Sequence, residues 1–101
     1  MKFVILFEDD PKAEPNIRQA VMAAHLSFLE ANSEAIEAAG PLSKGSEGPT
    51  GGLWLVEADN ERDVEHLVRT DPFWPTDLRK SFTILRWNQV FSGGVRRIQP
   101  Q

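Results

Sequence analysis

His25 has the residue type and the surroundings for proton-transfer chemistry. Its segment carries apolar residues at the i, i+3, i+4 and i+7 spacing of one helix face, namely Ile17, Ala20, Val21, Ala24 and Phe28. At about 100° per residue, His25 falls within this apolar face. An imidazole there loses its hydration and needs a polar partner inside the protein. Two interpretations stay open: a core histidine bonded to a backbone carbonyl, or a general acid or base.

Asp71 is the second residue whose position suggests chemistry. It follows the predicted end of the second helix, where the helix dipole disfavours a carboxylate. It precedes Pro72, Phe73 and Trp74, so large aromatic side chains partly desolvate it, and desolvation raises the pKa of a carboxyl group. An aspartate before proline is also a common cap for a turn. The residues alone favour the cap and leave a functional carboxylate as the alternative.

Composition excludes several other kinds of site. The chain of 101 residues has no cysteine and two histidines, so thiolate chemistry, disulfides and histidine-rich metal sites are not expected. The glycine-rich segment 45–52 lacks the lysine and hydroxyl residues of a phosphate-binding loop. A net charge of −4 argues against nucleic acid and anionic membrane surfaces as partners. We therefore expect no metal and no cofactor.

The first apolar run is too short for a signal peptide or a membrane span, so we expect a cytoplasmic protein that does not enter a membrane.

Six elements must position these residues. The pattern predicts strands at 3–7, 36–42, 53–58 and 82–87, a helix from Pro15 or Asn16 to Glu30 or Asn32, and a second helix from the cap Asp59 or Asn60 to Thr70. Segments 43–52 and 73–80 are predicted to be irregular. The order βαββαβ is that of the ferredoxin-like α+β fold, an antiparallel sheet with both helices on one face. We expect one domain at residues 1–91 and a tail at 92–101, which is loose or adds an edge strand.

Both faces of this sheet are apolar. In the first strand Phe3, Ile5 and Phe7 point to one side and Val4 and Leu6 to the other, and the later strands alternate similarly. Two helices cover only one face, and a small monomer rarely exposes such a patch. We therefore expect a homodimer with stacked sheets, the alternative being that the tail folds over the open face.

The remaining notable residues have simpler interpretations. His66 is predicted to face water, and Arg79 and Lys80 are predicted to form a solvated face rather than an anion site. The three tryptophans fit the core or a dimer interface better than a ligand cage.

Four short motifs in order resemble the YCII-related (YciI-like) family. They are His25-Leu26-Ser27-Phe28-Leu29, Ala39-Gly40-Pro41-Leu42, Gly51-Gly52 and Asp71-Pro72-Phe73. Each is weak alone, but their order and spacing are specific, and they span nearly the whole chain up to Trp87.

This resemblance implies a dimeric α+β barrel and a pocket with a histidine–aspartate pair, which corresponds to His25 and Asp71. We predict Pro41, Phe73 and Trp74 as substrate contacts. The chain departs from the family where Gly51-Gly52 replaces the usual Gly-Ser pair, which removes a hydroxyl. Trp74 adds bulk that narrows the pocket.

The resulting hypothesis is a small cofactor-independent enzyme. His25 would act as general base or acid and Asp71 would orient it, which suits lyase or hydrolase chemistry on a small polar organic molecule. The resemblance agrees, since a few relatives are dehydrochlorinases of chlorinated hydroxyquinones. The substrate itself is not readable from the residues. One alternative is a non-catalytic module on the same barrel that binds a small ligand or a partner chain. A cofactor-free oxygenase is a further alternative, although nothing marks an oxygen site.

Overall fold

The structure is a computed structural model that describes residues 1–98. Its elements are β1 (Lys2–Asp9), α1 (Ile17–Ala31), β2 (Ile36–Ser43), β3 (Pro49–Glu57), α2 (Glu61–Thr70), β4 (Arg79–Arg86), β5 (Phe91–Ser92) and β6 (Val95–Arg96). The first four strands form one antiparallel sheet in the order β2-β3-β1-β4. This is the ferredoxin-like arrangement, and the predicted α+β class is confirmed.

The core lies on one side of the sheet because the two central strands alternate strictly. In β1, Phe3, Ile5 and Phe7 are buried, whereas Val4 is half-buried and Leu6 is exposed. β3 adds Trp54 and Val56, β2 adds Ile36, and α2 adds Val64 and Val68 to the same cluster. The predicted assignment of residues to the two faces of β1 and β3 therefore agrees with the structure.

Two strands begin earlier than the sequence pattern indicates. β3 starts at Pro49, and its residues Gly51 and Gly52 pair with β1 inside the segment predicted to be a loop. β4 starts at Arg79 rather than at residue 82, because Asp9 of β1 pairs with Arg79 beyond a β-bulge. Glycine and a β-bulge both interrupt the alternation of apolar side chains from which strands are predicted, so these two strand starts are missed in the sequence.

Helix α1 is rotated from its predicted orientation. Ala20 and Ala24, which were predicted to lie on the buried face, are exposed. His25 is the only buried residue of α1, with half-buried neighbours that include Val21 and Phe28. The polar contact of His25, described below, therefore has more influence on the helix orientation than the small alanine side chains.

The chain after β4 forms its own hairpin. β5 pairs with β6 across Gly93 and Gly94, whose φ angles of 59° and 78° suit a two-residue turn. These strands do not join the four-stranded sheet, unlike the predicted added edge strand. The predicted tail at 92–101 begins inside the hairpin, and its residues 99–101 lie outside the described residues.

Within residues 1–98, neither helix has the length and apolar character needed to cross a membrane.

Gly51 is a position where the packing requires glycine. A Cβ atom built there would lie 2.1 Å from the backbone oxygen of Phe7. Gly51→Ala must push β1 and β3 apart, so we expect a loss of at least about 1–3 kcal/mol in the free energy of unfolding. Gly48→Ala is the control, because no heavy atom lies within 4 Å of its added Cβ atom. Urea denaturation of both variants measures the difference, and equal stabilities would contradict the assigned strand register.

Candidate active site

Asp71 is placed by the end of α2. The side chain of Asn60 caps the start of this helix by accepting a hydrogen bond from the backbone N–H of Asp63 at 2.9 Å. The helix ends at Thr70, and Asp71 is extended, with φ −65° and ψ 134°, before Pro72. The Asp71 carboxylate is 1% exposed and accepts a hydrogen bond from the backbone N–H of Phe73 at 3.2 Å. The residue thus stabilises a turn and is also a buried carboxylate.

His25 meets Asp71 across the gap between α1 and the end of α2. The His25 Nδ1 lies 2.8 Å from Asp71 Oδ1, and Nδ1 donates when Asp71 is ionised. The imidazole also packs against the Phe73 ring, with 4.5 Å between centroids. Within residues 1–98, Nε2 has no protein hydrogen-bond partner, and no buried side-chain nitrogen or oxygen is left unpaired. Nε2 is therefore the solvent-accessible nitrogen of the ring.

Arg79 binds the other oxygen of Asp71. Its Nη1 donates to Oδ2 at 2.6 Å, and its guanidinium lies 3.9 Å from the centroid of the Phe7 ring. The Arg79 side chain is 7% exposed, so the prediction that this arginine lies on a solvated face is wrong. The bulge at the start of β4 turns Arg79 toward the helices. Lys80 does remain exposed, with Nζ 3.8 Å from Glu8.

The electrostatics of Asp71 reflect opposing effects. Burial raises the pKa of Asp71, as expected from its aromatic neighbours, but the hydrogen bond from His25 and the charge of Arg79 lower it by more in total. The backbone N–H of Phe73 contributes in the same direction, so the net pKa lies below the ordinary value of 3.8. Asp71 is consequently a carboxylate at neutral pH. Burial also lowers the pKa of Arg79, while Asp71 opposes this change, and the guanidinium stays protonated.

A cleft of about 100 Å³ opens between α1 and the sheet beside this pair. Its lining combines aromatic side chains, polar groups and bare backbone, and includes Phe7, Trp54, Phe73, Arg18, Asp9, His25, Arg79, Gly40, Pro41 and Gly52. Arg18 and Asp9 form an ion pair with each other. Residues 1–98 contain no group of three or more histidine and acidic side chains that could hold a metal ion.

Of the three predicted substrate contacts, two lie at the cleft and one does not. Pro41 and Phe73 line the cleft, but Trp74 does not. The backbone N–H of Trp74 bonds to the carbonyl of Asp71 at 2.8 Å, and the Trp74 ring packs against Phe82 and Arg69 instead. The Trp74 ring therefore lies away from the cleft, and the prediction that it narrows the pocket is wrong.

Gly52 lies where the resemblance predicts a missing hydroxyl, and the cleft is tight at this point. A Cβ atom there would lie 3.3 Å from the backbone oxygen of Gly40 and 3.8 Å from the Phe7 ring. Gly52 therefore presents backbone to the cleft.

Replacing Asp71 should make the stability of the protein depend less on pH. Because the folded-state pKa of Asp71 is lowered, its ionised form stabilises the fold fully above its ordinary pKa of 3.8. This contribution is lost as the pH falls through the lowered folded-state value. Asp71→Asn leaves Arg79 buried without its carboxylate, so we expect a loss of about 3–5 kcal/mol at pH 7. Urea denaturation from pH 7 to pH 3 should show the gap between variant and wild type narrowing only in the acid range. A gap independent of pH would contradict the ionised state.

The chain is similar to known proteins in both sequence and structure. The sequence model of the YCII-related domain matches residues 1–88. A similar solved structure is the 5-chloro-2-hydroxyhydroquinone dehydrochlorinase from Burkholderia phenoliruptrix AC1100 in complex with 2,5-dihydroxybenzoquinone. The two chains are 30% identical with a TM-score of 0.76, and the match covers 87% of this chain and 94% of that chain.

A second solved structure is a dimeric protein of unknown function with a ferredoxin-like fold from Bacteroides fragilis NCTC 9343. It is 20% identical with a TM-score of 0.47, and the match covers 83% of this chain and 90% of that chain. None of the curated proteins matches the sequence. The family model, which extends over both His25 and Asp71, identifies the chain as a member of the YCII-related domain family.

Proposed function

We propose that this chain is an enzyme that performs acid–base chemistry on a small polar organic molecule. The proposal rests on the surroundings of the two ring nitrogens of His25. One ring nitrogen binds a buried carboxylate, and the other is accessible beside a cleft. This is the arrangement that a general base needs, because the partner orients the ring and stabilises the imidazolium that forms.

The proposed roles follow from the contact between His25 and an ionised Asp71. A carboxylate only accepts, so Nδ1–H of His25 donates to it and the neutral imidazole carries its lone pair on Nε2. In an elimination, Nε2 takes a proton from a substrate C–H or O–H group, and the electron pair of that bond becomes a new π bond. The leaving group departs with its own bonding electrons as an anion. The similar structure from Burkholderia is named a dehydrochlorinase, and loss of chloride and a proton is a reaction of this class.

The cleft suits a small and largely flat molecule. A volume near 100 Å³ is of the order of the roughly 150 Å³ cavity that accepts a single benzene ring. The rings of Phe7, Trp54 and Phe73 provide apolar contact area, while His25 and Arg79 provide polar groups. We propose Pro41 and Phe73 as the substrate contacts that remain from the sequence prediction.

We also propose that the protein works as a homodimer with stacked sheets. The sheet face opposite the helices carries an apolar patch of Val4, Leu53, Leu55, Leu85 and Trp87, with Arg86 beside it. Leu85 and Trp87 are exposed, so the described part of the tail does not cover this face. A second copy would bury the same patch from both sides, which a two-fold interface requires. Two such sheets would pack about 10 Å apart.

The interface has a direct test in Leu55→Lys. Leu55 lies on the open face, whereas its neighbour Val56 lies in the core, so only Leu55 can be changed without unfolding the protomer. We expect wild type to sediment at twice 11.3 kDa and the variant at 11.3 kDa with unchanged circular dichroism. Ala24→Lys, on the exposed side of α1, should leave the dimer intact. A wild-type monomer at all micromolar concentrations would refute the dimer.

The catalytic role is tested best with His25→Asn. The asparagine amide can still donate to Asp71, but it has no basic nitrogen in place of Nε2, so the buried contact survives while the base is lost. In a screen of lyase and hydrolase substrates that includes halogenated hydroquinones, we expect activity to fall by about 10²-fold to 10⁴-fold. His66→Asn on the exposed surface of α2 is the matched control.

Two outcomes would contradict the catalytic proposal. Equal activity in wild type and His25→Asn would remove His25 from the chemistry. Ligand binding by both forms without turnover would support a non-catalytic binding module instead.

A further inference from the structure

We propose that Arg79 is a positioning residue that keeps Asp71 a carboxylate and thereby holds the proton of neutral His25 on Nδ1. This inference deepens the proposed function, since it bears on catalysis only if His25 is the acid–base group. Arg79 itself is not required to touch the substrate. Its effect passes through Asp71 to the nitrogen of His25 that faces the cleft.

The geometry supports this role because the two oxygens of Asp71 have separate partners. Oδ1 accepts from His25 Nδ1 and from the backbone N–H of Phe73, whereas Oδ2 accepts from Arg79 Nη1. Bonds at both ends of the carboxylate hold its plane. Rotation of the group would break the contacts with Arg79 and His25 together. The orientation of the imidazole is therefore tied to that of the guanidinium.

The charge state supports the same role. The Asp71 side chain is fully buried, and burial alone favours the neutral acid. A neutral acid that carries its proton on Oδ1 donates from that oxygen, so it would require His25 Nδ1 as an acceptor. The proton of the neutral imidazole would then move to Nε2, and the lone pair would be lost from the cleft. The positive charge of Arg79 opposes this change.

The other charged groups near Arg79 act on its pKa in opposite directions. Asp9 of β1 raises the pKa of Arg79 and Arg18 of α1 lowers it, and these two residues form their own ion pair. Asp71 is the carboxylate to which Arg79 donates its hydrogen bond. The alternative is a purely structural role, because the guanidinium also packs on Phe7.

The experiment compares Arg79→Met with a control in the adjacent residue. Arg79→Met keeps an apolar side chain of similar length and removes the charge. Lys80→Met also removes one positive charge from β4, but Lys80 is exposed and contacts Glu8 rather than Asp71. Nitrogen-15 NMR of the histidine ring reports the tautomer of His25, and carbon-13 NMR reports the titration of the Asp71 carboxyl group.

We expect wild type and Lys80→Met to show one tautomer, with the proton on Nδ1. In Arg79→Met the Nε2–H tautomer should appear, and the titration midpoint of Asp71 should rise. Arg79→Lys should restore part of both signals, because an ammonium supplies the charge without the planar fork. An unchanged tautomer and an unchanged Asp71 titration in a folded Arg79→Met would overturn the inference and leave Arg79 a packing role.

If Arg79→Met does not fold, the tautomer of His25 is measured in wild type, where the Nε2–H form would overturn the inference. A guanidinium held by Asp71 and Phe7 should rotate slowly, so its Nη groups should give separate NMR signals at low temperature. One averaged signal would overturn the inference. These readouts need no substrate, so an absence of turnover would refute the proposed function and leave the tautomer result standing. Activity with an unaffected tautomer in Arg79→Met would refute only the role of Arg79.

Discussion

A single buried carboxylate, that of Asp71, accepts hydrogen bonds from three parts of the chain. His25 belongs to α1, Phe73 to the turn after α2, and Arg79 to the start of β4. A carboxylate removed from water costs several kcal/mol unless such partners replace its hydration. The fold therefore has to bring these three segments together, and the same contacts create the site. Stability and the proposed chemistry would both depend on this one group.

The two faces of the sheet differ in what covers them. Its helix-covered face holds the apolar cluster of β1, β3 and α2, with the cleft between this face and α1. Its other face remains apolar and uncovered within the described residues. Since the cleft and the open face lie on opposite sides, association through the sheet would leave His25 unobstructed. Changes at one face need not alter the other.

Much of this architecture follows from the sequence, and the exceptions have physical causes. Alternation in β1 and β3 and the glycine, proline and capping residues predict the order βαββαβ, and the family match supports it. The proximity of His25 and Asp71, 46 residues apart, is not readable from spacing and came from the family resemblance. The burial of Arg79 depends on a bulge, and the orientation of Trp74 depends on one turn hydrogen bond. Neither the bulge nor the turn hydrogen bond produces a periodic pattern in the sequence.

Helix α1 has one buried residue, His25, which is polar and lies close to the middle of the helix. Most of its other inward-facing residues are only half-buried, so the two ends of the helix are held by smaller apolar contacts. His25 is therefore the point about which α1 could tilt. Such a tilt would change the width of the cleft, because Arg18, Met22 and Leu29 of the helix line it. Substitutions along α1 would in this way reshape the cleft around an unchanged contact between His25 and Asp71.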